Sequence, residues 1–389
     1  MRIKVFLLLA IIYLSFIALG LPDALLGSAW NLVRLDLNVS LGTLGIMSFI
    51  IYVVSTLATL NAPRLLRVFE TKVVVLIGIS MIGVALVMIS RVTHFYQMLF
   101  FAIPLGLGAG VIDVTLNHYL SSHYKASHMN FLHSFYGIGV TLGPTIMAYA
   151  LRAHAWRQGY VIVGLMLFSI AILLLLSFPL WFKENTIDRN QLHAPLSLSD
   201  AFKIPGALKS VFIFLIYVHL ETLGGIWIAS YIFIQKGGSY ASAALFTSIF
   251  YLSLTLGRLT SGVVSNFITP NRLIWIGEFG IVLAGVLFLL PFDSLWFVAI
   301  VVAVFGLGCA PIFPNMMYLN GQYFDKQKVS KVMSLQMALG YMGFGIFTPF
   351  AGYIFDRFSI GWYPIFIIIN GIILIGLTRT FLKLKQRRT

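Results

Sequence analysis

The spacing of charged residues decides what this chain can fold into. About twelve stretches of roughly 20–30 residues carry almost no charge. Most are long enough to cross ~30 Å of hydrocarbon as a helix rising 1.5 Å per residue. They run at about 4–31, 41–65, 71–91, 94–121, 128–152, 157–182, 208–236, 240–267, 271–292, 294–323, 328–356 and 359–382. Charged residues make up 10% of the 389, against ~25% in a soluble domain. Runs of this length exclude a transmembrane β-barrel, whose strands would be ~10 residues long and alternating. The expected fold is therefore an all-α integral membrane protein with twelve transmembrane helices.

The net charge of +14 does not point to nucleic acid, because no Lys- and Arg-rich region outside the membrane exists to hold a duplex. The cations sit in short loops and report topology. With a cytoplasmic N-terminus, 19 Lys and Arg fall on the inner side and 6 on the outer, with Arg258 inside a span. This bias places both termini in the cytoplasm of a multi-pass protein of the cell (inner or plasma) membrane. Arg2 and Lys4 precede the first apolar run as they would in a signal peptide. The even span count and two basic ends favour a retained helix. The single cysteine, Cys309, lies within a span and forms no intrachain disulfide.

The longest polar stretch, "KENTIDRNQLHAPLSLSDAFKIPG" from residue 183, contains Pro195 and Pro205 and divides six spans from six. The halves resemble each other. "FAIPLGLGAGVIDVTLNHYL" (101–120) aligns with "VVAVFGLGCAPIFPNMMYLN" (301–320), and "FYGIGVTLGP" (135–144) echoes "GYMGFGIFTP" (340–349). The expected organisation is a six-helix bundle over 1–182, a cytoplasmic linker over 183–207 and a second six-helix bundle over 208–389. A duplicated six-plus-six arrangement resembles the major facilitator architecture, in which the halves rock around a midplane cavity.

Four acids fall inside spans: Asp23, Asp113, Glu221 and Glu278. Each costs on the order of 3 kcal/mol to insert, so each needs a reason. Asp23 follows Pro22, which removes a backbone donor and loosens the helix. It has no basic residue at an obviously similar depth, so it can gain and lose a proton as a cavity opens to either side. Asp113 has Asn117 one turn on, on the same helix face, and Gly106, Gly108 and Gly110 just before it allow close packing. A carboxylate beside an amide suits a polyhydroxylated ligand. Glu221, in the repeat partner of the first helix, precedes Gly224 and Gly225 and is a candidate solute or cation ligand. Glu278 and Arg258 have similar depths on adjacent helices and are expected to form a structural or gating ion pair. His118, His133 and His219 also lie in spans, and His133 is the best candidate for a proton or solute contact. Each of these acids and histidines also has a purely structural reading, as a helix lock or a packing residue. No group of His, Cys and acids has metal-ligand spacing, and no P-loop, dinucleotide fingerprint or nucleophile elbow is present. No resident cofactor and no metal are therefore expected, and an enzyme is not.

"NFLHSFYGIGVTLGP" (130–144) resembles the N-x-x-H-x-F-F-G-x-G-x-x-x-G-P stretch of the fucose permease-like branch of the major facilitators. "DVTLN" (113–117) is similar to that branch's E-T-x-x-N, "GLGCAPIFPNMM" (306–317) to its tenth-helix run, and "HLET" (219–222) to a seventh-helix G-x-E-T. The resemblance implies coupling through Asp23, with Asp113 in coupling and sugar binding. Asp113 stands where the branch has a glutamate, one methylene longer, and the loop motif between helices two and three is degraded to "RLLRVFETK" (64–72).

The expected function is secondary active transport: uptake of a sugar or sugar-like solute with H⁺, or with Na⁺ as the alternative co-transported ion. Asp23, Asp113 and Glu221 are the coupling candidates. Asp113, Asn117, His133, Tyr136, Glu221, Trp227, Asn315 and Gln336 are the solute-binding candidates, with Phe135 a further ring. The expected partners are the small solute and the bilayer, with no nucleic acid, and the unit is a monomer. The main rival is an H⁺-antiport exporter of drugs or amphipathic metabolites, which 13 methionines and the Gly-Pro run of the fifth helix would suit.

Overall fold

A computed structural model describes residues 2–124, 126–181, 202–292 and 294–386, and among these every regular element is a helix. Twelve rods result. They are α1 (Lys4–Asp36), α2 (Thr43–Leu65), α3 (Thr71–Ile89), α4 (Phe95–His123), α5 (Ala126–Leu151) and α6 (Trp156–Leu176), followed by α7 (Ala207–Gln235), α8 (Tyr240–Val264), α9 (Pro270–Phe288), α10 (Leu295–Tyr323), α11 (Lys326–Arg357) and α12 (Tyr363–Gln386). Eleven are long and apolar enough to cross a membrane. The twelfth, α5, is 26 residues long and dilutes its apolar residues with His133, Ser134, Tyr136, Thr141 and Thr145. Residues 183–201 of the expected linker lie outside the described residues.

Large apolar side chains cover the outside of the bundle: Phe6, Leu60, Tyr149, Leu176 and Ile300 are all more than half exposed. That is the surface lipid requires. Lipid tails are as apolar as leucine, so burial of these side chains does not drive one helix onto another; close backbone approach does. The glycines supply it, and they do so twice. A methyl on Gly106 would meet the Ile51 carbonyl oxygen of α2 at 2.5 Å, and one on Gly108 the Gly78 carbonyl oxygen of α3 at 2.6 Å. Two hundred residues later, one on Gly306 would strike the Phe250 carbonyl oxygen of α8, and one on Gly308 would meet the Gly277 carbonyl oxygen of α9 at 2.9 Å. The paired sequences 101–120 and 301–320 thus seat α4 and α10 on their neighbours in the same way.

Three rods are broken, and the breaks lie where the sequence places proline or paired glycine. In α1, Pro22 lacks an N–H, and the helix is interrupted at Ala24 (φ −100°, ψ −1°). The Ser28 hydroxyl donates to the exposed Ala24 carbonyl at 2.6 Å. In α7, Leu223–Trp227 widens into a π-helical turn containing Gly224 and Gly225. In α10, the helix restarts at Ile312 after Pro311, whose carbonyl accepts from the Asn315 amide at 2.7 Å.

The first six and last six helices meet along a seam on one side of the molecule. At the face opposite the termini, the Ser40 hydroxyl donates to Asp356 at 2.6 Å, and a methyl on Gly42 or Gly45 would strike Gly352 or Pro349 of α11. Deeper, Thr145 of α5 donates to Ser248 of α8 at 2.9 Å, and the Tyr52 ring stacks on Phe344 at 4.9 Å. Gly137 against Thr255, near mid-depth, is as deep as this tight packing goes. Beyond it His133 of α5 and Thr260 of α8 are solvent-exposed. The seam is closed at the far face, and the space between the halves opens toward the face that carries the termini.

Candidate functional site

The two interrupted helices that are repeat partners, α1 and α7, each carry an acid at the break. Asp23 ends the first segment of α1, and Glu221 stands two residues before the π turn of α7. Helix interruption at mid-membrane is tolerated where the backbone lines a cavity. Asp23 is solvent-exposed there, and its Oδ2 accepts a hydrogen bond from the Tyr136 hydroxyl of α5 at 2.5 Å. Among the described residues no lysine or arginine is ion-paired to it. Beside it lies a cavity of about 50 Å³ that Asp23, Ser48, Tyr52 and Tyr160 help to line.

Asp113 lies within electrostatic reach of Asp23. Its Oδ1 accepts from the Asn117 amide at 2.9 Å, and the same amide reaches the Asp113 carbonyl at 2.8 Å. The two residues share a face as their spacing requires. His133 is exposed, sits edge-on to Phe16 at 5.8 Å, and feels the charges of both Asp113 and Arg258. It therefore looks into the space between the halves. Phe135 stacks on Tyr13 at 4.8 Å instead.

The second half supplies a cation. The Arg258 Nη2 donates to the Tyr217 hydroxyl at 2.8 Å and reaches both Glu221 oxygens at 3.3 and 3.4 Å. Its Nε is buried with no partner. This corrects the expected pairing of Arg258 with Glu278. Depth along straight helices made that pair plausible, but azimuth decides otherwise. The Arg258 face of α8 looks at α7, whereas Glu278 lies on the buried face of α9 and accepts from Thr378 of α12. Glu221 is accordingly an ion-paired acid, not an unaccompanied one.

Three expected solute ligands are buried in packing. Trp227 is fully buried, edge-on to Phe355 at 5.2 Å. Gln336 is fully buried, accepts from Asn320 at 2.7 Å and donates to Ser210, tying α7, α10 and α11 together. Asn315 donates to Ser261 of α8 and to the Pro311 carbonyl. In this conformation none of the three presents surface to the cavity. His219 is likewise buried, against Phe347 at 4.5 Å.

The sequence profile of the Major Facilitator Superfamily matches this chain over residues 12–234 and again over 210–389. The chain belongs to that superfamily. It is similar to a Saccharomyces cerevisiae protein named bypass of stop codon protein 6, with 25% identity over 79% of this chain and 69% of that one. It is also similar to the nitrite extrusion protein of Bacillus subtilis, with 22% identity over 86% of this chain and 84% of that one. The crystal structure of the nucleoside transporter NupG superposes with a TM-score of 0.73, covering 98% of this chain and 99% of that one at 16% identity. At that identity the likeness speaks for the fold. The protein is thus a membrane transporter of the major facilitator type.

On the superfamily's frame, three tyrosines emerge that the sequence did not single out. Tyr52, Tyr217 and Tyr251 surround the charges: Tyr52 and Tyr251 lie in the fields of Asp23 and Glu221, and Tyr217 bonds Arg258. Tyr251 approaches α7 at the π turn so closely that a methyl on Gly225 would collide with its hydroxyl. A mid-span tyrosine needs a partner for its hydroxyl, which was the available signal. With 17 tyrosines in the chain, it did not distinguish these three.

Proposed function

We propose that this transporter brings a small polyhydroxylated, sugar-like solute into the cell together with a cation, H⁺ being the expected ion. The carrying observation is the Asp23 carboxylate at the α1 break, open to solvent, held by the Tyr136 hydroxyl and with no ion-paired cation among the described residues. Such a group can exchange a proton without breaking a salt bridge, and the bond from Tyr136 links its state to α5, a helix of the seam. Asp113 and Asn117 offer acceptors and an amide to hydroxyls, His133 a ring nitrogen, and the rings of Tyr52, Tyr136 and Tyr251 a stacking surface. The fucose permease-like motif at 130–144 supports the same reading. The excess of Lys and Arg on the termini's side supports placing that face in the cytoplasm of the cell membrane. One chain builds the whole cavity, so a monomer suffices.

One proton moving down 100 mV supplies ~2.3 kcal/mol, enough for roughly 50-fold accumulation at ~1.4 kcal/mol per tenfold. In proteoliposomes, Asp23→Asn is expected to abolish uphill uptake while solute counterflow continues. Uphill uptake surviving intact would remove the proton role from Asp23.

A second reading, export of an amphipathic or anionic metabolite against H⁺, draws on Arg258. Its buried, unpartnered Nε and the Tyr217 hydroxyl would suit an acidic solute, and the Bacillus relative is named for nitrite extrusion. Inside-out vesicles under an imposed pH gradient separate the two, because uptake and efflux then have opposite signs.

A further inference from the structure

The cavity beside Asp23 is not part of the opening between the halves. Its walls come mainly from α1, α2, α3, α4 and α6, with Ile226 closing one side, and its volume is about 50 Å³. That is room for roughly three to five water molecules and too little for the solute proposed above. Its lining is mostly apolar, yet two hydroxyls there have no protein partner. Ser48, 2% exposed, and Tyr160, 1% exposed, both line the cavity, and neither Ser48 Oγ nor Tyr160 OH forms a hydrogen bond within the protein. A buried hydroxyl without a partner costs on the order of 1–3 kcal/mol, so two of them at one small cavity ask for a ligand. The third oxygen group present is the Asp23 carboxylate.

One carboxylate and neutral hydroxyls around a water-sized space make a donor set for a small monovalent cation. Oxygen ligands suit a hard ion, and a single formal negative charge balances a single positive one. We propose that this cavity is the seat of the coupling ion, a hydrated Na⁺ or a hydronium, held by the Asp23 carboxylate, Ser48 Oγ and Tyr160 OH. The inference rests on the reading of Asp23 as the coupling group and adds where the ion sits. The seat is walled by the first half, to one side of the path the solute takes. Binding there competes with the Tyr136 hydroxyl for the same carboxylate, so ion occupancy is felt directly by α5. The other ionisable groups bearing on Asp23 are Asp113 of α4, Tyr52 of α2 and Tyr251 of α8.

The test needs no knowledge of the solute. Thermal unfolding of the purified full-length protein is followed in NaCl against choline chloride at constant ionic strength, and separately across pH in choline chloride. A ligand of the folded state raises its apparent stability in proportion to ln(1 + [L]/Kd). If Na⁺ is the ion, Ser48→Ala and Tyr160→Phe each raise the Na⁺ concentration for half-maximal stabilisation about tenfold, as expected for one lost bond to a charge. If hydronium is the ion, Na⁺ has no specific effect, and the stability transition that Asp23→Asn removes moves by about one pH unit in both hydroxyl variants. Wild-type ion responses in Ser48→Ala and Tyr160→Phe, with Asp23→Asn alone abolishing them, would overturn the cavity as the ion's seat and leave the coupling reading standing. An unchanged ion response in Asp23→Asn would remove both. Monodisperse elution of each variant establishes that it folds.

Discussion

The guanidinium of Arg258 holds Glu221 and Tyr217 together at the point where α7 widens. The pair is only partly buried, with side-chain exposures of 34% and 18%. Its rupture is therefore expected to cost less than the ~3–5 kcal/mol of a fully buried pair and more than the ~0–1 kcal/mol of an exposed one. Arg258→Ala should lower unfolding stability in detergent by about 2 kcal/mol, since it strands an acid. Glu221→Gln should cost less, because Tyr217 still accepts from the arginine. In a double-mutant cycle the combined variant should be more stable than the sum of the single losses implies, by about 1 kcal/mol. Simple additivity would mean that Arg258 serves Tyr217 alone. At this scale, the existence of the intramembrane acids was legible and their partners were not. Asp23, Asp113 and Glu221 stand out because a charge inside an apolar run is costly. Whether Arg258 meets Glu221 or Glu278 depends on rotation about the axis of α8, which hydropathy does not encode when a helix has neighbours on several sides.

Sequence foretold helix structure where it rests on chain chemistry. Pro22 interrupts α1, Gly224 and Gly225 coincide with the π turn of α7, and Pro311 divides α10. The polar residues Trp227, Asn315 and Gln336 were misassigned because polarity within a span has two uses. Gln336 spends its amide on Asn320 and Ser210, a closed buried network, and nothing in its sequence position tells such a lock from a ligand. The seam between α2 and α11 gives the prediction proper to this scale. Gly42 caps α2, and the Asp356 carboxylate approaches that end of the helix, where a negative charge is favoured by the helix dipole. Three residues on, a methyl at Gly45 would collide with the Pro349 Cα. Backbone cannot yield there as a side-chain tip would. Gly45→Ala should therefore hold the far face open and lower transport at least tenfold. The check is Ser248→Cys in a Cys309→Ser background. Ser248 is buried under Thr145 in the closed seam, so a hydrophilic maleimide applied at the far face should label it only when Gly45→Ala is also present. Equal protection in both backgrounds would show that the seam closes despite the methyl.

The molecule as a whole is two six-helix sets in contact along the far half of their shared surface and separated along the near half. Sequence predicted the sets through the 200-residue offset of their glycine runs, but it carries no record of which end is closed, because a rocking transporter uses both arrangements with one set of residues. The native thiol makes the closed end measurable. Cys309 is fully buried and is the chain's sole cysteine, so the unmodified protein should resist maleimides from either side. His133→Cys places a thiol on the exposed, cavity-facing side of α5, below the deepest tight contact of the seam. Ser40→Cys places one at the exposed rim of the far face. The excess of Lys and Arg on the termini's side argues that this side is cytoplasmic. An impermeant maleimide should then label Ser40→Cys in intact cells and His133→Cys only in inside-out vesicles. Should His133→Cys label in intact cells while Ser40→Cys also does, the resting molecule is open at the far face. Should the two exchange sides, the charge bias has been misread and the termini lie outside. Adding a transported solute should slow His133→Cys labelling in vesicles, because a bound solute both covers the cavity wall and permits the near halves to close over it.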